Sequence, residues 1–162
     1  MLYLFISILF FTNISSEKNL KIPEEIKLRI VSKVNSVRTN GCKCGRKNMK
    51  PVDPITWNET LYRSALSHAR DMDQHNFFDH YSSDGKNVGE RLDGFGYNWV
   101  HIGENIGTGQ RSFSEVLQDW INSPSHCEML MNPNVKEMGV AKYRSYWVQH
   151  FGTQVPPGYK RN

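Results

Sequence analysis

The sequence predicts an α+β fold in which helices lie on either side of a small antiparallel sheet. Two segments carry apolar residues at helical spacing, Ile26-Ile30-Val34-Val37 and Leu61-Ala65-Ala69-Met72. Near the end of the chain, Met138–Tyr143 and Tyr146–Phe151 read as two strands. Only Arg144 and Ser145 lie between them, which makes a tight antiparallel hairpin the economical reading. Between these regions, the run from His101 to His126 holds a strand, a turn and a helix in one connected stretch.

Residues 1–16 read as a secretory signal peptide. Met1 to Phe11 is almost wholly apolar, small polar residues follow, and charge begins at Glu17. That apolar core is shorter than the ~20 residues a permanent membrane span needs, so no stable membrane anchor is expected once the segment is cleaved. An uncleaved anchor is the alternative. Residues 17–27 then form an N-terminal linker, residues 28–154 one domain and residues 155–162 a tail. A chain of this length supports one core.

The first helix has its start signal in Pro23-Glu24-Glu25, with proline in the first turn and acids at the positive end of the helix dipole. Gly41 stops it. Gly41 to Pro54 reads as a loop and carries Cys42 and Cys44. Asn58 or Thr60 caps the second helix, which runs out near Asn76. His80 follows, flanked by aromatic residues and then by the turn Ser82-Ser83-Asp84-Gly85, where a side chain can point into a cleft. Val88, Leu92 and Phe95 mark a short third helix. Glu104 lies between Ile102 and Ile106 in a short strand, read with its acid on the face opposite the isoleucines. A buried acid needs a partner. Beyond the turn Gly107-Thr108-Gly109, Ser112 and Glu115 form a capping box for a helix that ends near Asn122, before Pro124. A fresh turn places His126. His68 and His75 are expected as partly exposed helix residues, and His101 and His150 as strand or edge residues.

The net charge of +4 is dispersed. No basic stripe argues for nucleic acid. Metalloprotease, serine-hydrolase, phosphate-loop and dinucleotide motifs are all missing from the sequence. Three cysteines in an exported chain allow one disulfide. Cys42 and Cys44, one residue apart, would close a strained ring, so Cys127 is expected to bridge to Cys42 or Cys44.

Six segments occur in an order that resembles the CAP superfamily of cysteine-rich secretory, antigen 5 and pathogenesis-related-1 proteins, which share the SCP domain. They are Pro54–Leu61, Ala65–Met72, Phe78–Gly85, Gly103–Ile106, Trp120–His126, and Met138-Gly139-Val140 closing with Gln149–Gly152. The bacterial-type SCP-like branch is the most similar. The resemblance implies an α-β-α sandwich and secretion. It also implies a cleft lined by His80, Glu104 and His126, where some members bind a divalent metal. Two positions depart from the pattern: Tyr146 stands where eukaryotic members carry a histidine, and Ser123 where some carry an acid.

Two neutral imidazoles and a carboxylate suit zinc or another divalent ion, with water completing the coordination. His80, His126 and Glu104 are therefore the candidate metal ligands, and no residue is assigned as catalytic. The reading that follows is a secreted recognition or effector module acting on an extracellular protein, lipid or glycan. A metal-dependent extracellular hydrolase and a structural domain of a cell envelope or spore coat are the alternatives.

Overall fold

In a computed structural model of the chain, residues 22–156, 158 and 159 are described. The expected signal peptide, residues 17–21 of the linker and part of the tail lie outside them. Helix α1 spans Glu24–Asn40, so four residues of the expected linker are already helical. It begins on Pro23, with Glu24 and Glu25 in its first turn, and ends at Gly41, whose φ of 73° lies in a region that a side chain disfavours. Strands β1 (Cys42–Cys44) and β2 (Lys47–Met49) follow as an antiparallel pair. This small hairpin replaces the expected loop. Gly45, at φ 58°, makes the reversal, and the short strands carry too little apolar alternation to be read as strands.

Next come β3 (Thr56–Trp57), α2 (Glu59–His75) and α3 (Val88–Gly94). The Asn58 side chain caps α2, accepting from the backbone N–H groups of Thr60 and Leu61. Asn87 and Glu90 form a reciprocal capping box on α3. Strand β4 (Trp99–Thr108) leads to α4 (Phe113–Asn122), α5 (Pro124–Leu130), β5 (Glu137–Tyr143) and β6 (Tyr146–Gln154). The main sheet has the order β3-β5-β6-β4. It is mixed rather than purely antiparallel, because the two-residue β3 pairs parallel to β5.

Period-two alternation splits the core between the two faces of the sheet. Tyr62, Ala65, Ala69 and Met72 of α2 pack with Ile106, Ala141 and Val148 on one face. Ile30 and Val34 of α1 and Val116, Leu117 and Trp120 of α4 pack with Met138, Val140, Trp147 and Phe151 on the other. Helix α2 comes so close to β5 that a Cβ on Gly139 would lie 2.1 Å from the Tyr62 nitrogen. Helix α5 sits on the same side as α4. There a Cβ on Gly103 of β4 would meet the Met129 side chain, and Asn105 Nδ2 donates to the His126 carbonyl at 3.2 Å.

The buried Arg38 of α1 holds the connections below the sheet. It donates to the carbonyls of Asp53 (2.9 Å), Leu130 (2.6 Å), Asn132 (3.1 Å) and Val135 (3.3 Å). Among the described residues no carboxylate is bonded to this cation, and the four carbonyl acceptors offset its desolvation.

Candidate functional site

Residues 102, 104 and 106 alternate in step, so Glu104 projects to the same face of β4 as Ile102 and Ile106. The expected opposite-face placement is wrong, since positions two apart in a strand share a face. Ile106 packs against the α2 layer and Ile102 against Leu61 and Leu92, and Glu104 lies between them. Its side chain is 3% exposed.

Both carboxylate oxygens are engaged. Oε1 accepts from His80 Nδ1 at 2.7 Å. Oε2 accepts from His150 Nε2 at 2.7 Å and from Arg91 Nη2 at 2.5 Å. Arg91 also donates through Nη1 to the carbonyls of His80 and Lys86, each at 2.9 Å, and to Ser82 Oγ at 3.2 Å. One guanidinium therefore ties the loop bearing His80 to the strand bearing Glu104. The buried His68 Nε2 donates to the Asp79 carbonyl at 3.0 Å, which fixes the start of the same loop, and lies 3.9 Å from Glu104 Oε2.

The electrostatics follow from this arrangement. Burial opposes ionisation of Glu104, but hydrogen bonds from His150 and His80, with the nearby positive charge of Arg91, outweigh it and hold the carboxyl well below the usual carboxylate range. Burial pushes the His68 imidazole down from 6.5 to about 4. Burial likewise lowers His150, against the pull of Glu104. His80 is raised, chiefly by its hydrogen bond to Glu104. His126 is lowered by burial and then by the charge of His80, so the two imidazoles sense each other.

His126 belongs to α5 rather than to a free turn, since proline is compatible with the first turn of a helix and Pro124 occupies it here. α5 lies on the opposite face of β4 from α2, so His126 and His80 approach β4 from different sides, His80 through its bond to Glu104. Beside His126 a cleft of about 310 Å³ is lined by Phe78, Ile106, Thr108, Gln110, Asp119 and Trp120, among others. Phe78 and Tyr81, flanking His80, are 48% and 58% exposed.

Sequence reasoning missed Arg91, His150 and His68 as partners of Glu104. Their signals were present. His68 falls on the apolar stripe Leu61-Ala65-Met72, and Arg91 follows Val88 by three residues on the buried side of α3. His150 lies, as expected, on a strand, within the apolar run of β6 that is covered on both faces and buries it, and the partial exposure expected of His68 is corrected to full burial.

As a ligand set, His80, Glu104 and His126 fit a metal poorly. Among the described residues, the group of three His, Cys, Asp or Glu donors lying within 4.8 Å of one another is Cys42, Cys44 and Cys127 instead. Glu104 is spent on its neighbours, with Arg91 beside it. The two imidazoles remain, with Nδ1 of the half-exposed His80 held by Glu104. The cysteines form a Cys44–Cys127 disulfide that joins β1 to α5, with Cys42 as the free thiol.

Residues 31–151 match the cysteine-rich secretory protein family, CAP. The chain belongs to that family. The CAP domain is 36% identical over 102 residues to the uncharacterized protein YkwD of Bacillus subtilis, covering 62% of this chain and 40% of that protein. Among solved structures it is similar to an extracellular SCP-domain protein of Bacillus anthracis, with a TM-score of 0.69 at 23% identity over 83% of this chain and 45% of that one. It is also similar to an outer surface protein of Borrelia burgdorferi, with a TM-score of 0.67 at 20% identity over 83% of this chain and 98% of that one. The chain thus spans less than half the length of the two Bacillus proteins. At these identities the structural likeness establishes the CAP α-β-α sandwich. Among the described residues no helix is long and apolar enough to cross a membrane.

Proposed function

We propose that this CAP domain is an extracellular recognition module that binds a peptide or glycan along the cleft between His80 and His126. The observation that carries this reading is the burial of Glu104 and the engagement of both its oxygens by protein donors. A general base or metal-activated hydrolase needs a carboxylate with a lone pair directed at water or metal. Glu104 instead has both oxygens bonded to His80, His150 and Arg91, with the charge of Arg91 against it. It acts as an internal anion that sets the position of His80.

What faces outward is suited to binding. Phe78 and Tyr81 offer exposed rings, while Thr108, Gln110, Asp119 and His126 supply hydrogen-bonding groups around a shallow apolar floor. Extracellular placement is supported by the fold shared with an extracellular protein of Bacillus anthracis and an outer surface protein of Borrelia burgdorferi, and by the export-like first 16 residues. His80 and His126 are the residues that would hold a divalent ion such as zinc, with Glu104 orienting His80 through Nδ1. When bound, the ion would supply a Lewis-acidic contact for a ligand oxygen.

The purified domain, screened against cell-envelope glycans and a peptide library with and without zinc, should bind saturably without turnover. Phe78→Ala and His126→Ala should weaken that binding. Metal-dependent cleavage that disappears in Glu104→Gln would instead establish the hydrolase reading.

A further inference from the structure

The third sulfur lies against the disulfide. Cys42 Sγ is 3.4 Å from Cys127 Sγ and 3.8 Å from Cys44 Sγ, and Cys44 and Cys127 are bonded to each other. Cys42 and Cys44 are two apart in β1, so both side chains project to the same face and meet the same position of α5. We propose that Cys42, Cys44 and Cys127 form a thiol–disulfide exchange centre in which Cys127 pairs alternately with Cys44 and Cys42.

The step needs no external oxidant. Cys42 loses its proton to solvent, and its thiolate attacks Cys127 Sγ. The Cys42–Cys127 bond forms as the Cys44–Cys127 bond breaks, and the electron pair departs on Cys44, which takes up a proton. One disulfide and one thiol are present before and after. Attack on Cys127 is favoured over attack on Cys44 because Cys127 is the nearer sulfur. A Cys42–Cys44 bond would also close a strained ring between residues with one residue between them. In either pairing β1 stays tied to α5, and with it the backbone next to His126. The exchange differs in which thiol it leaves: the partly exposed Cys42 in one form, and in the other Cys44, whose residue is 1% exposed in the present pairing.

The surroundings set the rate. Apolar Val37, Met49 and Val52 pack around the sulfurs. The charged groups near them are Lys43 on the other face of β1 and the Lys47–Glu128 ion pair, 3.1 Å long, between β2 and α5. Burial pushes the Cys42 thiol up, so exchange is slow at neutral pH and quickens in alkali.

The test incubates the purified, oxidised chain at pH 7 to 9 without added thiol. Samples are quenched in acid, alkylated in denaturant and mapped by peptide. Alkylated Cys44 and a Cys42–Cys127 bridge should appear with first-order kinetics independent of protein concentration, at an initial rate rising about tenfold per pH unit below the thiol pKa. Cys42→Ser should abolish the appearance of alkylated Cys44. In Cys44→Ser, the Cys42–Cys127 bridge should form completely. Label confined to Cys42 at every pH, Cys44 labelling that scales with protein concentration, or two persistent thiols in folded Cys44→Ser would each overturn the proposal. Should Cys44→Ser not fold, the wild-type mapping decides alone.

Discussion

Glu104 of β4 and His150 of β6 are directly paired across the antiparallel ladder, and their side chains meet on the α2 face with Oε2 2.7 Å from Nε2. The pair is buried, His150 wholly and the Glu104 side chain to 3% exposure. Strand register thus does for the CAP cleft what a loop does elsewhere: it fixes the anion on which His80 and Arg91 converge.

Removing that anion should leave Arg91 as an uncompensated buried cation. Glu104→Gln is expected to destabilise the fold by about 3 to 5 kcal/mol, read as a lower denaturant midpoint with an unchanged slope. A loss under 1 kcal/mol would show that Arg91 finds another partner.

Acid should weaken the domain before ordinary carboxylates titrate. His68 is pushed down from 6.5 to about 4, so the unfolded chain binds its proton first, and stability falls as pH drops from about 6.5 toward 4. The full shift corresponds to about 3 kcal/mol. Glu104, also lowered, contributes stability that is present above its unfolded value near 4.5 and is lost as pH falls further. His80 has the opposite sign, being raised, and its half-exposed ring adds a small term that is lost as pH rises through its folded pKa. Denaturation midpoints from pH 7 to 4 should therefore decline steadily, and His68→Asn should flatten the upper part of that decline.

At Gly139 the limit is steric. A methyl group there would meet the α2 backbone at Tyr62 and Leu61, which cannot rotate away as a side chain can. Gly139→Ala should cost at least about 3 kcal/mol or prevent folding, whereas Gly94→Ala, with nothing within 4 Å of the added Cβ, should be close to neutral. Thermal melts of the two variants make the comparison.

The disulfide closes a loop with a sequence separation of 83. Cys127→Ser should cost about 4 kcal/mol, close to the entropic expectation for a loop of that length. Equilibrium unfolding of the variant, compared with the oxidised wild type, checks this value.

Zinc binding at the cleft should depend on the imidazoles of His80 and His126. Calorimetric titration should show His80→Ala and His126→Ala each losing at least about tenfold in affinity, and His75→Ala losing none. Equal affinity in all three would remove the cleft as the metal site.

The sequence by itself determined the elements whose signals are local. Apolar residues recurring every three to four positions marked α1 and α2, Ser112 marked the start of α4, and two strands with two residues between them closed as the β5–β6 hairpin. The ordered motifs named the family and singled out His80, Glu104 and His126. Tertiary structure alone decided the partners. That Glu104 meets His150 depends on the register of strands 46 residues apart, and that Arg91 turns inward depends on a loop folding its carbonyls over α3. The choice of Cys44 over Cys42 depends on where α5 docks against β1. Periodicity records which side of an element avoids water, whereas the partner of a buried charge is set by whichever distant groups the closed chain brings within hydrogen-bond reach, and no local pattern encodes that.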